Sequence, residues 1–468
     1  MRLLGLIGIA LVLGGMLVIV RADDGLVRER TTVDGVPVSV LRPEGDGPFP
    51  AVVVAHGFNG SARLMDGIGI ALARDGWVAA MPDFAGHGAN LDPLGTDQER
   101  SDEVAAVADW VAGRPDVGGA AALLGHSMGA GAVTRAATED SEVPATVALS
   151  LPSAAELSRD VRSLLPIVGG AEGDPFATAA VQAAERGYPT VTIPGATHIT
   201  ILFRTETLQR SVTWLDEAVG RPAGTVAPDW RMPAVGAVYL GAALLFWPVS
   251  ALVVRSRVDA VRGGRPRLPS MLGLVVSGVA AGGVLAVLPA LAEVVPLLVG
   301  GYLAAFFALA GVLQGLLSRR HERPVAASAV PGVVLGGYAA VTTALPAGLA
   351  WAQISLSGPR ALGLALLVVA GVAYGWGELL LAWRPDGTVG YARVLVGRLL
   401  LSGILLALSA TGLAPGFLVI LALVMILVLP WLGAYAVRTA RLTGSPLAGA
   451  LTQALPFALL VSVTTPLA

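Results

Sequence analysis

After Met232 the chain breaks into eight apolar runs, near residues 232–254, 268–291, 294–317, 325–350, 361–383, 394–413, 415–437 and 446–467. Each approaches the ~20 residues that a helix needs to cross the hydrocarbon layer, where backbone polar groups must be satisfied within the segment itself. A soluble globule cannot cover that much continuous apolar surface. Residues 234–468 are therefore expected to form an all-α bundle of about eight transmembrane helices. A further run, Leu3–Val20 behind Arg2, reads as a transmembrane signal anchor over residues 1–22. The rival reading is a cleaved signal peptide ending near Val20-Arg21-Ala22, and the length of the apolar core favours retention.

Composition agrees with a chain divided between two solvents: 54% of the 468 residues are hydrophobic and 14% are charged. The carboxylates crowd into the first half, since after Met232 only Asp259, Glu293, Glu322, Glu378 and Asp386 remain. A net charge of -2, with no basic run in the first half, argues against a nucleic-acid partner. The absence of cysteine excludes disulfides, thiolate metal sites and cysteine nucleophiles. Arginine replaces lysine throughout, a bias that resembles a GC-rich bacterial genome.

The arginines of the second half also give an orientation. Arg255, Arg257, Arg262, Arg265 and Arg267 fall in one connection, Arg319, Arg320 and Arg323 in the next but one, then Arg384 and Arg393, then Arg438 and Arg441. The alternate connections carry only Arg360. The positive-inside rule makes the arginine-rich loops cytoplasmic, with the amino terminus inside and the first half outside. Localisation is therefore read as a multi-pass cell-membrane protein with an extracytoplasmic first half. Within the bundle, Glu378 and Arg398 are each about one and a half turns from the same loop, so they sit at similar depth and can pair. A structural ion pair or snorkelling is preferred over a proton or substrate path.

Residues 23–220 have a different pattern, of short β-rich runs alternating with helical, Ala-rich and charged stretches, which is an α/β signature. Ala51–Ala55, Trp77–Met81, Ala121–Leu124, Thr146–Leu151, Leu164–Val168 and Thr190–Ile193 read as buried parallel strands, because both of their faces are apolar. Gln98–Ala112 and Gly129–Ala137 fit as helices between them. Residues 221–233, rich in Pro, Gly and Ala, read as a linker.

Several motifs fall at the ends of these strands. Gly125-His126-Ser127-Met128-Gly129 sits between a strand and a helix, the setting of a nucleophile elbow that exposes a serine hydroxyl. His56-Gly57-Phe58-Asn59-Gly60 follows Ala51–Ala55, Asp83–Gly88 reads DFAGHG, and Gly169–Pro175 holds two carboxylates. Ala196-Thr197-His198 follows the last strand. Together these stretches resemble the α/β-hydrolase superfamily, over roughly the first half of the chain.

The resemblance implies a mostly parallel sheet flanked by helices, no metal and no organic cofactor. It also implies the chain order serine, acid, histidine. Ser127 is then the nucleophile and His198 the base, while the backbone N–H groups of Phe58 and Met128 would form the oxyanion hole. For the acid, Asp174 is preferred over Glu172 because the Asp174-Pro175 step resembles the usual end of that loop. Glu172 stays open because the loop is about one residue longer than the common spacing. His56 and His87 read as pocket or loop residues, His126 as the variable elbow residue and His321 as a solvated loop residue. An aspartate-nucleophile hydrolase is excluded by Ser127.

The expected activity is hydrolysis of an ester, thioester or amide, on a small-molecule or lipid acyl substrate. The alternatives are acyl transfer by the same triad, or a transporter or signalling scaffold with a non-catalytic outer domain. The short stretch Pro152–Arg162 leaves little room for an inserted lid.

Overall fold

A computed structural model describes residues 2–157, 161–254, 270–318, 329–356, 358–382 and 390–468. The arginines at 255–267, those at 319–323 and 384, and His321 lie outside the described residues. The chain forms two compact units, one of residues 14–237 and 346–355, the other of residues 1–13, 238–345 and 356–468.

The first unit is built on eight strands: β1 Leu26–Val33, β2 Val36–Pro43, β3 Ala51–Ala55, β4 Val78–Pro82, β5 Ala122–His126, β6 Thr146–Leu149, β7 Leu164–Gly169 and β8 Val191–Ile193. Their order in the sheet is β1-β2-β4-β3-β5-β6-β7-β8. From β4 to β8 neighbouring strands run parallel, and β1 and β2 add antiparallel at one edge. The six predicted strands are present within a few residues. The β1–β2 hairpin was not predicted: its charged, alternating pattern (LVRERTTV, VPVSVLRP) carries no continuous apolar run. Its turn is Asp34-Gly35, with φ of 48° and 89°, a pair suited to a tight hairpin.

Alternate strand residues feed two cores, one on each face of the sheet. On one face Val53, Ala55 and Ala80 pack with Val104, Val107 and Val111. Those three valines recur at helical spacing on α3 (Asp97–Ala112), whose start is fixed by a capping box between Thr96 and Glu99. Helix α4 (Met128–Glu139) adds Ala130 and Val133 to the same core. On the other face Val52, Val54 and Met81 pack with Ile68 and Leu72 of α2 (Asp66–Arg74) and with Leu208, Val212 and Leu215 of α6 (Thr205–Ala218). Helix α5 (Phe176–Glu185) follows the acid loop. At ~1.5–3 kcal/mol for each fully buried valine or leucine, these two layers hold the strand ends in fixed register.

The expected linker 221–233 is bonded down along much of its length. The Arg221 guanidinium lies 5.8 Å from the Trp77 ring centroid, Gln209 accepts from Val226 N–H at 2.9 Å, and Arg231 pairs with Asp229 at 2.8 Å. A helix begins within it, at Arg231.

The apolar helices are α1 Arg2–Val20, α7 Arg231–Val253, α8 Ser270–Val287, α9 Leu298–Leu317, α10 Val330–Ala350, α11 Pro359–Ala382, α12 Tyr391–Ala410, α13 Leu418–Thr443 and α14 Pro446–Thr464. Among the described residues seven helices are long and apolar enough to cross a membrane: α1, α7, α9, α10, α11, α12 and α14. Pro331 opens α10 and Pro346 sits inside it, so neither divides the segment.

Candidate active site

The site begins with an abrupt reversal. Strand β5 ends at His126, Ser127 takes φ 54° and ψ -118°, and α4 starts at Met128. A non-glycine residue at positive φ is strained, and here that strain lifts the serine hydroxyl out of the sheet. The flanking glycines are required by contact. A methyl group on Gly125 would lie 2.2 Å from the Gly129 carbonyl oxygen, and one on Gly129 would lie 2.6 Å from those of Ala55 and His56. The Ser127 N–H donates to the Leu149 carbonyl at 2.8 Å, which ties the turn to β6.

His198, on the loop after β8, brings Nε2 to 3.1 Å from Ser127 Oγ. Its Nδ1 lies 3.3 Å from Oε2 of Glu172. The structure thus brings Glu172 to the imidazole, and the preference for Asp174 is corrected. Asp174 is exposed and accepts a hydrogen bond from the Thr178 hydroxyl in the first turn of α5. Glu172 wins on reach. The loop turns back at once after β7, with Glu172 N–H donating to Gly169 O at 3.0 Å, and the longer side chain folds into the interior with no exposure. There Oε1 accepts from Ser150 Oγ at 2.8 Å and from Gly169 N–H at 3.0 Å. Both bonds orient the carboxylate so that the remaining oxygen faces His198. That fixes Nδ1 as the protonated nitrogen and leaves Nε2 free to accept from Ser127.

The HGFNG turn lies against Ser127: a methyl on Gly57 would be 3.1 Å from Ser127 Cβ. Gly60 N–H donates to Gly57 O at 2.9 Å, and His56 Nδ1–H donates to the same carbonyl at 2.8 Å. His56 Nε2 accepts from Phe84 N–H at 3.1 Å, which joins this turn to the DFAGHG loop. Burial, helped by the neighbouring His87, pushes the His56 pKa down to about 3, so this brace stays neutral. Met128 is the first residue of α4, where an amide has no partner within the helix, so it is available to an oxyanion beside Ser127. Phe58 sits in the turn on the other side, its ring edge-on to His87 at 5.7 Å.

The alpha/beta hydrolase fold family matches residues 50–188, the segment that contains the sheet core, the elbow and the acid loop. Residues 50–188 are an α/β-hydrolase domain. A bis(hydroxyethyl) terephthalate hydrolase of Streptomyces coelicolor is 29% identical over 184 residues, which are 36% of this chain and 57% of that protein. This chain therefore matches only somewhat more than half of that relative's length. Among solved structures, a predicted CIB-like hydrolase from Thermoplasma acidophilum is 16% identical with a TM-score of 0.36, covering 41% of this chain and 98% of the other. A dienelactone hydrolase from Anabaena variabilis is 21% identical with a TM-score of 0.33, covering 41% and 98%. The family and the curated relative support a hydrolytic activity in general.

Three features of the hydrolase domain escaped the sequence reading. Phe176 stacks on the His198 ring at 4.1 Å between centroids. It directly follows Asp174-Pro175 and is the first residue of α5. Ser150, at φ 53° beyond β6, supplies the hydroxyl that holds Glu172. Glu103 on α3 accepts from Ala85 N–H at 3.3 Å, and burial raises its carboxyl pKa to about 7.

In the second unit Glu378 and Arg398 do meet: Nε lies 3.0 Å from Oε1 and Nη2 lies 2.5 Å from Oε2. Tyr374 OH donates to Glu378 at 3.0 Å, and Arg398 also donates to the Leu429 carbonyl and to Gln453. These bonds link α11, α12, α13 and α14. Arg360, expected in a loop, is instead buried at the start of α11, where it donates to Ser462 O and Thr465 O at 2.9 Å each.

Proposed function

We propose that the α/β-hydrolase domain is a serine hydrolase of acyl esters, using Ser127, His198 and Glu172 on the extracytoplasmic side of a membrane that the apolar helices span. The observation that carries this reading is the position of His198, within hydrogen-bond reach of both the Ser127 hydroxyl and the Glu172 carboxylate. His198 Nε2 takes the Ser127 proton as Oγ attacks the acyl carbon. The Phe58 and Met128 amides receive the charge that develops on the carbonyl oxygen. The imidazolium is stabilised by Glu172 and returns its proton to the departing alcohol oxygen, and water then repeats the sequence to release the acid. A carboxylic ester is favoured over a thioester or amide because the Streptomyces coelicolor relative is named for hydrolysing one. The acyl substrate is a small molecule or a lipid. The sidedness rests on the alternating arginine loops of the sequence.

A membrane-impermeant fluorophosphonate probe on intact cells tests the whole reading. Labelling that disappears in Ser127→Ala supports it. Labelling only after lysis refutes the sidedness, and no labelling of the folded protein refutes the serine mechanism.

A further inference from the structure

The residue before the nucleophile does more than fill a variable elbow position. His126 is 2% exposed, and its Nε2 lies 2.9 Å from the backbone carbonyl oxygen of His198. The two imidazoles are neighbours, with centroids 4.7 Å apart. A carbonyl can only accept, so Nε2 carries the proton and Nδ1 is left as an acceptor. Nδ1 is buried with no hydrogen-bond partner among the described residues. It faces the HGFNG turn, where a methyl on Gly57 would come within 2.9 Å of it. One ring therefore touches the loop that carries His198 and the turn that carries Phe58, and it is covalently next to Ser127.

The loop at His198 needs such a tie. Thr197, Ile199 and Thr200 are exposed; Thr197 and Thr200 bond to each other through their hydroxyls, and the Thr197 carbonyl accepts from Ile201 N–H at 3.0 Å. Ala196 is buried and its carbonyl accepts from Ala171 N–H at 2.9 Å, which fixes the loop two residues before the imidazole. The His198 carbonyl, on the other side of the residue, is held by His126. We infer that His126 is a positioning residue, whose Nε2–H fixes the backbone of His198 so that the catalytic imidazole meets Ser127 Oγ in line. Burial, with His198 adding to it, pushes the His126 pKa down to about 3, so the ring is neutral and its single N–H stays on Nε2.

The inference rests on the serine-hydrolase reading and is tested beside it. Full-length protein in detergent, with active sites counted by fluorophosphonate, is assayed on a p-nitrophenyl ester as wild type, His126→Phe and His126→Gln. Phenylalanine keeps a ring and loses the donor, while glutamine places an amide N–H at about the reach of Nε2. A misplacement of the base by about 1 Å costs on the order of 100-fold, so kcat per titrated site should fall about 10- to 100-fold in His126→Phe with KM little changed. Glutamine should restore kcat to within about threefold of wild type if one hydrogen bond is what matters. A merely structural role would lower the number of titrated sites and leave kcat per site alone. Phenylalanine at wild-type kcat per site overturns the inference, and so does glutamine failing as badly as phenylalanine while titrating normally. If His126→Phe does not fold, the glutamine result still decides. A wild type that never labels removes the serine-hydrolase reading, and this inference with it.

Discussion

Glutamine at position 172 isolates what the buried acid does. In Glu172→Gln the side chain keeps its shape, and Oε1 can still accept from Ser150 Oγ and Gly169 N–H. The amide NH2 then faces His198 Nδ1, and two donors cannot share that gap. The imidazole must move its proton to Nε2, the nitrogen that has to receive the proton of Ser127. The flipped amide is worse, because it sets an NH2 against Gly169 N–H in a site with no exposure, at roughly 1–3 kcal/mol for an unsatisfied buried donor. The wrong tautomer therefore prevails, and loss of a triad acid by this route costs about 10⁴ in kcat, or about 5.5 kcal/mol. Asp174→Asn should stay within about twofold of wild type, since Asp174 is exposed and its carboxylate bonds, among the described residues, to Thr178. The assay is kcat on a p-nitrophenyl ester, normalised to fluorophosphonate-titrated sites. A loss above tenfold in Asp174→Asn, with Glu172→Gln near wild type, would refute the reasoning.

Other perturbations follow from the same structure. The Glu103 pKa is raised from 4.5 to about 7, so the folded state holds a proton that the unfolded state has released between those values. The ionised carboxylate thus destabilises the fold fully above pH 7, and the penalty fades as pH falls toward 4.5. Glu103→Gln should gain about 1–2 kcal/mol at pH 8, after allowance for its partial exposure, and nothing near pH 4.5; urea midpoints at the two pH values check this. Gly125→Ala should abolish folded, titratable protein, because the added methyl meets the Gly129 carbonyl at 2.2 Å. In the second unit, Arg398→Gln leaves Glu378 buried without its cation and should cost about 3–5 kcal/mol in detergent stability. The paired change Glu378→Leu with Arg398→Leu should be milder than either single change, and a double variant no better than the singles would count against a structural pair.

Local signals made the strands with two buried faces legible: AVVVA and ALLGH are short apolar runs ending in Gly- or His-containing turns, and each motif announced its own strand end. The β1–β2 hairpin was hidden because an edge strand is half solvated, and its charged positions dilute the apolar pattern. Asp34-Gly35 between alternating runs was the available signal. The Glu378–Arg398 pair was legible by depth alone, since a helix converts residue count into height. Arg360 was not, because its partners Ser462 and Thr465 are about a hundred residues away.

By itself the sequence determined the division into an α/β half and an apolar helical half, along with the strand-to-helix turn that carries Ser127. These follow from periodicity and from motifs only a few residues long. Only the tertiary structure decided which carboxylate faces the imidazole, because that depends on a turn at Gly169 and on Ser150 just beyond β6. It also gave His126 its partner 72 residues away. Spacing along the chain carries no record of such contacts, whereas hydrogen bonding in a buried site depends on which atoms the fold brings within about 3 Å.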